Sequence, residues 1–408
     1  MGGREKFGFP VLDCDGHITE PLAIWNEYLE PKYREAAQEH FAIQNTPDGA
    51  MWTVEEFQGA RNPEQAAYTQ RLGRRAIGGM VCRGGAYIYG RSVADIAALS
   101  TEGEMWGPES GFMNPGGFDP HARIKEMDEM GVDKAIIIPT FFAMAPGVKD
   151  PELAVALCRA YNDWVYDYCE PYPDRLHPLA MLPVQDLDAA VAEWERLAKK
   201  GFHIICARPN PMAGEPIFDP HWFPLWDRCQ EGGVPLVFHP FPTTELEGGT
   251  RFCNTMGVPD LGETLSFTFD NIITVSGLIM HGVLDRYPSL KLALLESSCS
   301  WMPGILDRLD KRFYLFRKEM REMAGLKTLP TEIFKRQIYI SFESAERAAA
   351  PLSLMLQDNL IWASDIPHHD ADPPEGAVEQ MDKLGIPKDV QAKVMGHNSA
   401  RLFGIPLN

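Results

Sequence analysis

The chain has 408 residues, 45% of them hydrophobic, and a formal net charge of −19. That is enough apolar material for a large core. The acidic balance argues against a nucleic acid or an anionic membrane as partner, because both require a basic face. Eight cysteines (Cys14, Cys82, Cys158, Cys169, Cys206, Cys229, Cys253 and Cys299) are scattered without a C-x-x-C pair. Several lie inside apolar runs, which predicts buried thiols in a reducing compartment. The opening Met1-Gly2-Gly3-Arg4-Glu5-Lys6 has no hydrophobic signal region, and no run approaches the roughly 18 apolar residues of a membrane span. The expectation is a soluble, cytoplasmic protein.

The first informative stretch runs from Val11 to Pro21, where a short apolar run ends in Asp13, Asp15 and His17. Residues two apart in an extended strand share a face. Two carboxylates and an imidazole therefore reach one side, the last two at the strand's C-terminal end. Alone, these residues would equally suit a solvent-facing strand end, so partners elsewhere must decide. Pro21 to Glu39 reads as helical. Residues 40–116 break the pattern, with a hairpin around Phe41–Ile43 and Met51–Val54 followed by a Gly/Arg-rich part. Between Tyr68 and Ser92 stand five arginines (Arg71, Arg74, Arg75, Arg83, Arg91) and no acidic residue. In so acidic a chain this reads either as a solvated loop or as an anion-gathering lid. Its apolar Ala86-Tyr87-Ile88-Tyr89 suits a subunit contact, so a homo-oligomer is expected.

From residue 118 the chain becomes regular. Asp119-Pro120 opens a helix that Gly131 closes, and Lys134–Pro139 is a continuous apolar strand. Further strands are predicted at His177–Leu182, His203–Arg208, Pro235–His239, Lys291–Glu296, Gln337–Ser341 and Leu360–Asp365. Helices are predicted between them at 151–170, 187–200, around 221–230, before Pro288, at 303–321 and near 345–356, with 374–384 and 388–395 closing the chain. Counted from Val11 there are eight apolar strands, and their alternation with helices indicates a parallel sheet covered on its outside. Eight such units define an α/β fold of the (β/α)8 TIM-barrel type. The expectation is a single domain over 1–408, with the 40–116 segment inserted after the first strand. A doubly wound open sheet with an extra module is the alternative.

In a parallel barrel all strand C-termini open on one face, which carries the active site. Strand one ends in Asp15 and His17, strand four in Arg208 with Asn210 beyond, strand five in His239, strand six in Glu296 and strand eight in Asp365. Two histidines and three carboxylates thus converge on one mouth, a donor set suited to a metal ion. His177 and His203 begin their strands and belong to the opposite face. His368 and His369 follow Asp365 in the loop above the mouth. His368 is the better placed of the two to orient substrate or shuttle a proton, though a plain loop histidine fits equally.

The chain resembles the amidohydrolase superfamily, in the branch called amidohydrolase family 2. The resembling pieces are Asp13–Pro21, Asp119 through Val132, Tyr161-Asn162-Asp163-Trp164, Val237–Pro240, Gly282–Pro288 with Glu296 and Trp301, Ala363–His368 and Asn398–Gly404. That branch contains metal-dependent hydrolases and non-oxidative decarboxylases such as the aminocarboxymuconate-semialdehyde and resorcylate decarboxylases. The resemblance implies a metal on Asp15, His17, His239 and Asp365. Three departures matter. Asp15 stands where the superfamily often has histidine, and strand four ends without a lysine to bridge two metals. Strand six carries Glu296-Ser297-Ser298 where the decarboxylases place a histidine followed by glycines.

With Glu296 added, the set is rich in oxygen donors and suits one or two divalent ions, Zn, Fe or Mn. The substitution at strand six shifts the expectation toward a hydrolase. A metal-activated water would attack an amide, an ester, a thioester such as an acyl-CoA, or a C–C bond, with Asp365 as general base. Arg208, Asn210, Trp301 and the arginines of the insertion would grip a small anionic substrate. The alternative is non-oxidative decarboxylation of an aromatic or unsaturated acid, and a third reading is a metal-dependent binding protein. Asp13 is expected to support the ligands from behind, and Glu20 to anchor the loop that follows them.

Overall fold

The apolar runs of the sequence become buried parallel strands because each is covered on both sides, inside by its neighbours and outside by a helix. In the computed structural model, which describes residues 2–20, 24–46, 49–54, 81–82, 115–117, 119–140, 142, 148, 150–209, 214–240, 259–368 and 371–407, eight such strands form the barrel. They are β1 (Leu12–Ile18), β2 (Lys134–Pro139), β3 (Leu176–Pro178), β4 (Ile205–Ala207), β5 (Leu236–Phe238), β6 (Leu292–Leu294), β7 (Ile338–Glu343) and β8 (Leu360–Ala363). Strands β1 to β3 pair in parallel, as do β4 to β8. A parallel bridge from Ala180 to Ile205 joins the two groups at one seam. At the other, Asp365 N–H donates to the Asp15 carbonyl at 3.0 Å and His17 N–H to the Ile366 carbonyl at 2.6 Å. The ring is closed, and the fold is the (β/α)8 barrel.

The outer helices are α1 (Pro120–Met130), α2 (Pro151–Cys169), α3 (Leu187–Lys200), α4 (Phe223–Gly232), α5 (Pro259–Met280), α6 (Met302–Leu315), α7 (Pro330–Gln337) and α8 (Pro374–Lys383). Their starts are written in the sequence. Asp119, Asp150 and Asp186 each accept a hydrogen bond from a backbone N–H of the first turn, satisfying donors that otherwise have no partner in the helix. Gly131 ends α1 at φ 80°, a left-handed conformation that glycine adopts without steric cost.

Several predicted boundaries move. At the runs His177–Leu182 and His203–Arg208 the strands are short, Leu176–Pro178 and Ile205–Ala207. A buried apolar run reports coverage by neighbours, whereas ladder pairing also needs N–H donors, and Pro178 has none. The predicted helix at 303–321 breaks at Phe316, whose backbone is extended, and a second helix spans Lys318–Met323. The helix near 345–356 shrinks to Ala349–Leu352. In the inserted region Phe41–Thr46 pairs antiparallel with Gly49–Val54, where the sequence predicts a hairpin, and Gly49–Val54 pairs with Val81–Cys82. Arg71, Arg74, Arg75, Arg83, Arg91 and the segment Ala86–Tyr89 lie outside the described residues. Cys14, Cys158, Cys169, Cys206, Cys229 and Cys299 are buried and form no disulfide. No described helix is long and apolar enough to cross a membrane.

Candidate metal centre

The site begins at the seam between β1 and β8. Asp13 Oδ1 accepts from Asp15 N at 3.1 Å and from Ser364 N at 3.0 Å, and Asp13 Oδ2 accepts from Ser364 Oγ at 2.5 Å. Ser364 Oγ in turn accepts from Ile366 N at 3.1 Å. This clasp is built where the β1–β2 register shifts between Asp13 and Gly16, so the ligands leave β1 from an irregular strand, not a plain one. Burial lifts the Asp13 carboxyl to about 6 against the lowering effect of the Ser364 and Asp15 hydrogen bonds. On either side of the clasp stand Asp15 and Asp365. Asp365 and Glu296 hold left-handed backbone, at φ 59° and 45°. For residues other than glycine that conformation is uncommon and concentrates at functional positions.

Above the clasp, Asp15, His17 and His239 each offer a ligand atom, all within 4.8 Å of one another, and His17, Asp365 and His368 form a second such group. His17 Nε2 lies 3.1 Å from Asp15 Oδ1 and 3.4 Å from Asp365 Oδ1. His239 Nε2 lies 3.6 Å from Asp15 Oδ1 and 3.1 Å from Glu296 Oε2. The two Nε2 atoms are 3.1 Å apart. Both imidazoles are oriented through their other nitrogen, His17 Nδ1 by the Pro139 carbonyl at 3.1 Å and His239 Nδ1 by the Pro240 carbonyl at 2.6 Å. A carbonyl only accepts, so each Nδ1 carries the hydrogen and each Nε2 presents a lone pair to the cluster.

This arrangement tests whether a cation fits. Two facing lone pairs at 3.1 Å repel, and Asp15 Oδ1 is buried beside them with no hydrogen-bond partner among the described residues. Burial lifts the Asp15 carboxyl to about 6, against the lowering effect of His239, and lowers His239 to about 4. Each group is poorly solvated as it stands, and a divalent ion among them would satisfy the carboxylate and both imidazoles at once. The donor set fits a divalent metal, with Asp15, His17, His239 and Asp365 as the residues that would hold it.

Glu296 reaches the cluster beside His239 and stands outside the two tight donor groups. Its loop is fixed by Glu296 N–H to Ser341 Oγ at 3.2 Å, by Ser298 Oγ and Cys299 N on Glu346 Oε2 at 2.7 and 3.1 Å, and by Trp301 Nε1 on the Ser297 carbonyl at 2.9 Å. The indole N–H of Trp301 is thereby used, so a ligand contact at Trp301 would come from its ring. His368 stacks on His17 with ring centroids 4.0 Å apart, and its Nδ1 lies 2.8 Å from Asp365 Oδ1. Arg208 is buried at the end of β4. Asn210 and His369 lie outside the described residues.

Glu20 anchors the loop after β2, its oxygens accepting from Thr140 N at 3.3 Å and Phe142 N at 2.9 Å. His177 and His203 meet edge to face at 5.7 Å, away from the cluster at the start of β3 and just before β4. Two buried polar residues escaped the sequence reading. Thr140 Oγ1 lies 3.3 Å from His17 Nδ1 and 3.1 Å from His368 Nε2; it directly follows β2, and the strand-end test would have found it had hydroxyls been counted. Asp270 is buried in α5, an acidic residue in an apolar helical phase, which is itself a readable signal.

Residues 13–405 match the amidohydrolase family (Amidohydro_2), and the chain belongs to that family. It is an enzyme of the amidohydrolase superfamily. It is 25% identical over 293 residues to gamma-resorcylate decarboxylase of Rhizobium sp. (strain MTP-10005), spanning 69% of this chain and 86% of that one. Among solved structures it is similar to an amidohydrolase from Mycobacterium avium subsp. paratuberculosis K-10, with TM-score 0.68, 22% identity, and 98% and 100% of the two chains covered. A dihydroxybenzoic acid decarboxylase from Polaromonas sp. JS666, solved with manganese and the inhibitor 2-nitroresorcinol, aligns with TM-score 0.62 and 17% identity over 100% of this chain and 98% of that one.

Proposed function

We propose that this protein is a metal-dependent, non-oxidative decarboxylase of a small aromatic or unsaturated carboxylic acid. The observation that carries the reading is the similarity to gamma-resorcylate decarboxylase along most of both chains. It reverses the order expected from Glu296, which by itself pointed to hydrolysis. The physical reason is that a carboxyl at strand six can still take part in proton chemistry or accept a hydrogen bond from substrate, so loss of the histidine does not exclude the lyase reaction.

When bound, a divalent ion supplies positive charge for the substrate carboxylate and a neighbouring hydroxyl. The remaining work falls to side chains. Asp365 delivers a proton to the carbon that loses CO2, the C–C electron pair stays on that carbon, and the new C–H bond replaces it. His368, at 2.8 Å from Asp365 Oδ1, returns a proton to Asp365 from the rim of the site. Thr140 Oγ1 holds the far nitrogen of His368. Glu296 accepts a hydrogen bond from the substrate hydroxyl, and the Arg208 guanidinium donates to a substrate oxygen on the other side of the mouth.

Hydrolysis by a metal-activated water is the second reading, favoured by the carboxylate-rich edge that Glu296 adds. The test is a panel of hydroxybenzoates beside generic esters and thioesters, assayed with Zn, Mn and Fe in turn. CO2 from the first group with inert esters supports decarboxylation, and the reverse pattern overturns it.

A further inference from the structure

The buried face of α5 carries three polar residues in a row of apolar ones: Phe267, Asp270, Asn271, Thr274, Val275 and Leu278. Asn271 Nδ2 donates to the Leu295 carbonyl at 3.1 Å, and Thr274 Oγ1 donates to the Pro209 carbonyl. One turn earlier, Thr268 Oγ1 donates to the Ser297 carbonyl at 3.0 Å. These bonds tie α5 to the chain just beyond β4 and β6, at the level of the mouth. Asp270 sits among them and makes no such tie. It is 2% exposed, and neither carboxylate oxygen has a hydrogen-bond partner among the described residues. Burial lifts its carboxyl to about 7, opposed by the positive charge of Arg208 at the end of β4.

A buried carboxylate with both oxygens unsatisfied is costly unless something occupies them in the working state. We propose that Asp270 and Arg208 form a substrate-recognition subsite on the β4–β6 side of the mouth, for a neutral group that both donates and accepts a hydrogen bond. A hydroxyl or carboxamide meets this description, donating to Asp270 and accepting from Arg208. A second carboxylate does not, because Asp270 cancels the attraction that Arg208 alone would exert. The inference rests on the decarboxylase reading for the identity of the substrate and narrows its class: a hydroxylated monocarboxylic acid in preference to a dicarboxylic one.

The test is calorimetric binding to the metal-loaded protein of 2-hydroxybenzoate, the four dihydroxybenzoates that add one hydroxyl to it, and 2-hydroxyisophthalate. Wild type is expected to bind one dihydroxybenzoate about 10- to 100-fold more tightly than 2-hydroxybenzoate, and the dicarboxylate no better than 2-hydroxybenzoate. In Asp270→Leu that preference disappears, and the dicarboxylate, facing Arg208 without its counter-charge, binds more tightly than it does to wild type. Asp270→Asn, which keeps the shape, is expected to retain part of it. A merely structural Asp270 would make both variants less stable, whereas removal of an unsatisfied carboxylate leaves the thermal midpoint unchanged or raised. The subsite is overturned by equal binding of all the monocarboxylates to wild type, by tightest binding of the dicarboxylate, or by an unaltered preference in Asp270→Leu. Binding is read without turnover, so a protein that shows the preference but releases no CO2 refutes the decarboxylase reading and leaves the subsite standing.

Discussion

His17 and His239 meet Nε2 to Nε2 at 3.1 Å, and each ring gives its other nitrogen's hydrogen to a backbone carbonyl. Lone pairs so placed repel in the absence of a shared cation. Removing metal with a chelator is therefore expected to lower the unfolding midpoint, and restoring Zn, Mn or Fe to raise it. A ligand at about 100 times its Kd adds roughly 2.7 kcal/mol to stability. Differential scanning calorimetry of chelated and reloaded protein checks this, with His239→Ala expected to show no metal-dependent shift.

Among the described residues Asp13 hydrogen-bonds to Asp15 N, Ser364 N and Ser364 Oγ and so joins the two strands that carry Asp15 and Asp365. An amide in its place cannot accept from both Ser364 N and Ser364 Oγ, because one end would then be a donor. Asp13→Asn is expected to lose about 1–3 kcal/mol of stability and roughly 10- to 100-fold in metal affinity. Urea unfolding and metal titration measure the two effects separately.

Asp365 and His368 are joined at 2.8 Å, and their substitution should separate chemistry from resupply. Asp365→Asn is expected to reduce kcat by about 10²- to 10⁴-fold with the fold intact. His368→Gln should have a smaller effect and shift the pH dependence of kcat, because solvent then replaces the imidazole as the proton source. Steady-state rates across pH in both variants check the assignment, and near-normal turnover in Asp365→Asn would remove it from the reaction.

Far from the mouth, burial lowers His177 to about 3, with smaller contributions from His203 and Lys134. The folded value lies below the ordinary 6.5, so the fold favours the neutral ring. That contribution is complete above pH 6.5 and is lost as pH falls toward 3. Urea midpoints are expected to drop between about pH 7 and 5, and to drop less in His177→Gln. Equal slopes in the two proteins would show that His177 is not responsible.

Much of this architecture was legible because barrel strands and metal ligands share one constraint. The apolar runs count the strands, and the polar residue that ends a run must lie at the mouth, which is how Asp15, His17, His239, Glu296 and Asp365 could be grouped from four separate strands. Strand lengths were not legible, since burial extends past the ladder beyond the end of β3 and on both sides of β4. Asp270 was missed because polar residues were sought only at strand ends, and it lies within α5. The Asp13–Ser364 clasp depends on closure of β1 against β8, a contact between residues 351 positions apart that no local pattern encodes. The reaction class was the hardest to read, because Glu296 fits two chemistries: the strand-six motif alone favours hydrolysis, whereas the similarity to gamma-resorcylate decarboxylase favours the alternative.

The most direct measurement is decarboxylation in D2O under H2¹⁸O-free conditions, paired with the same reaction in H2¹⁸O. Metal-loaded wild type, given the hydroxybenzoate that it turns over fastest, is expected to release CO2 and place one deuterium on the carbon that lost it, with no ¹⁸O in the aromatic product. Cleavage that incorporates ¹⁸O into the organic product, or turnover of esters without any release of CO2, would contradict a decarboxylase and establish hydrolysis in its place.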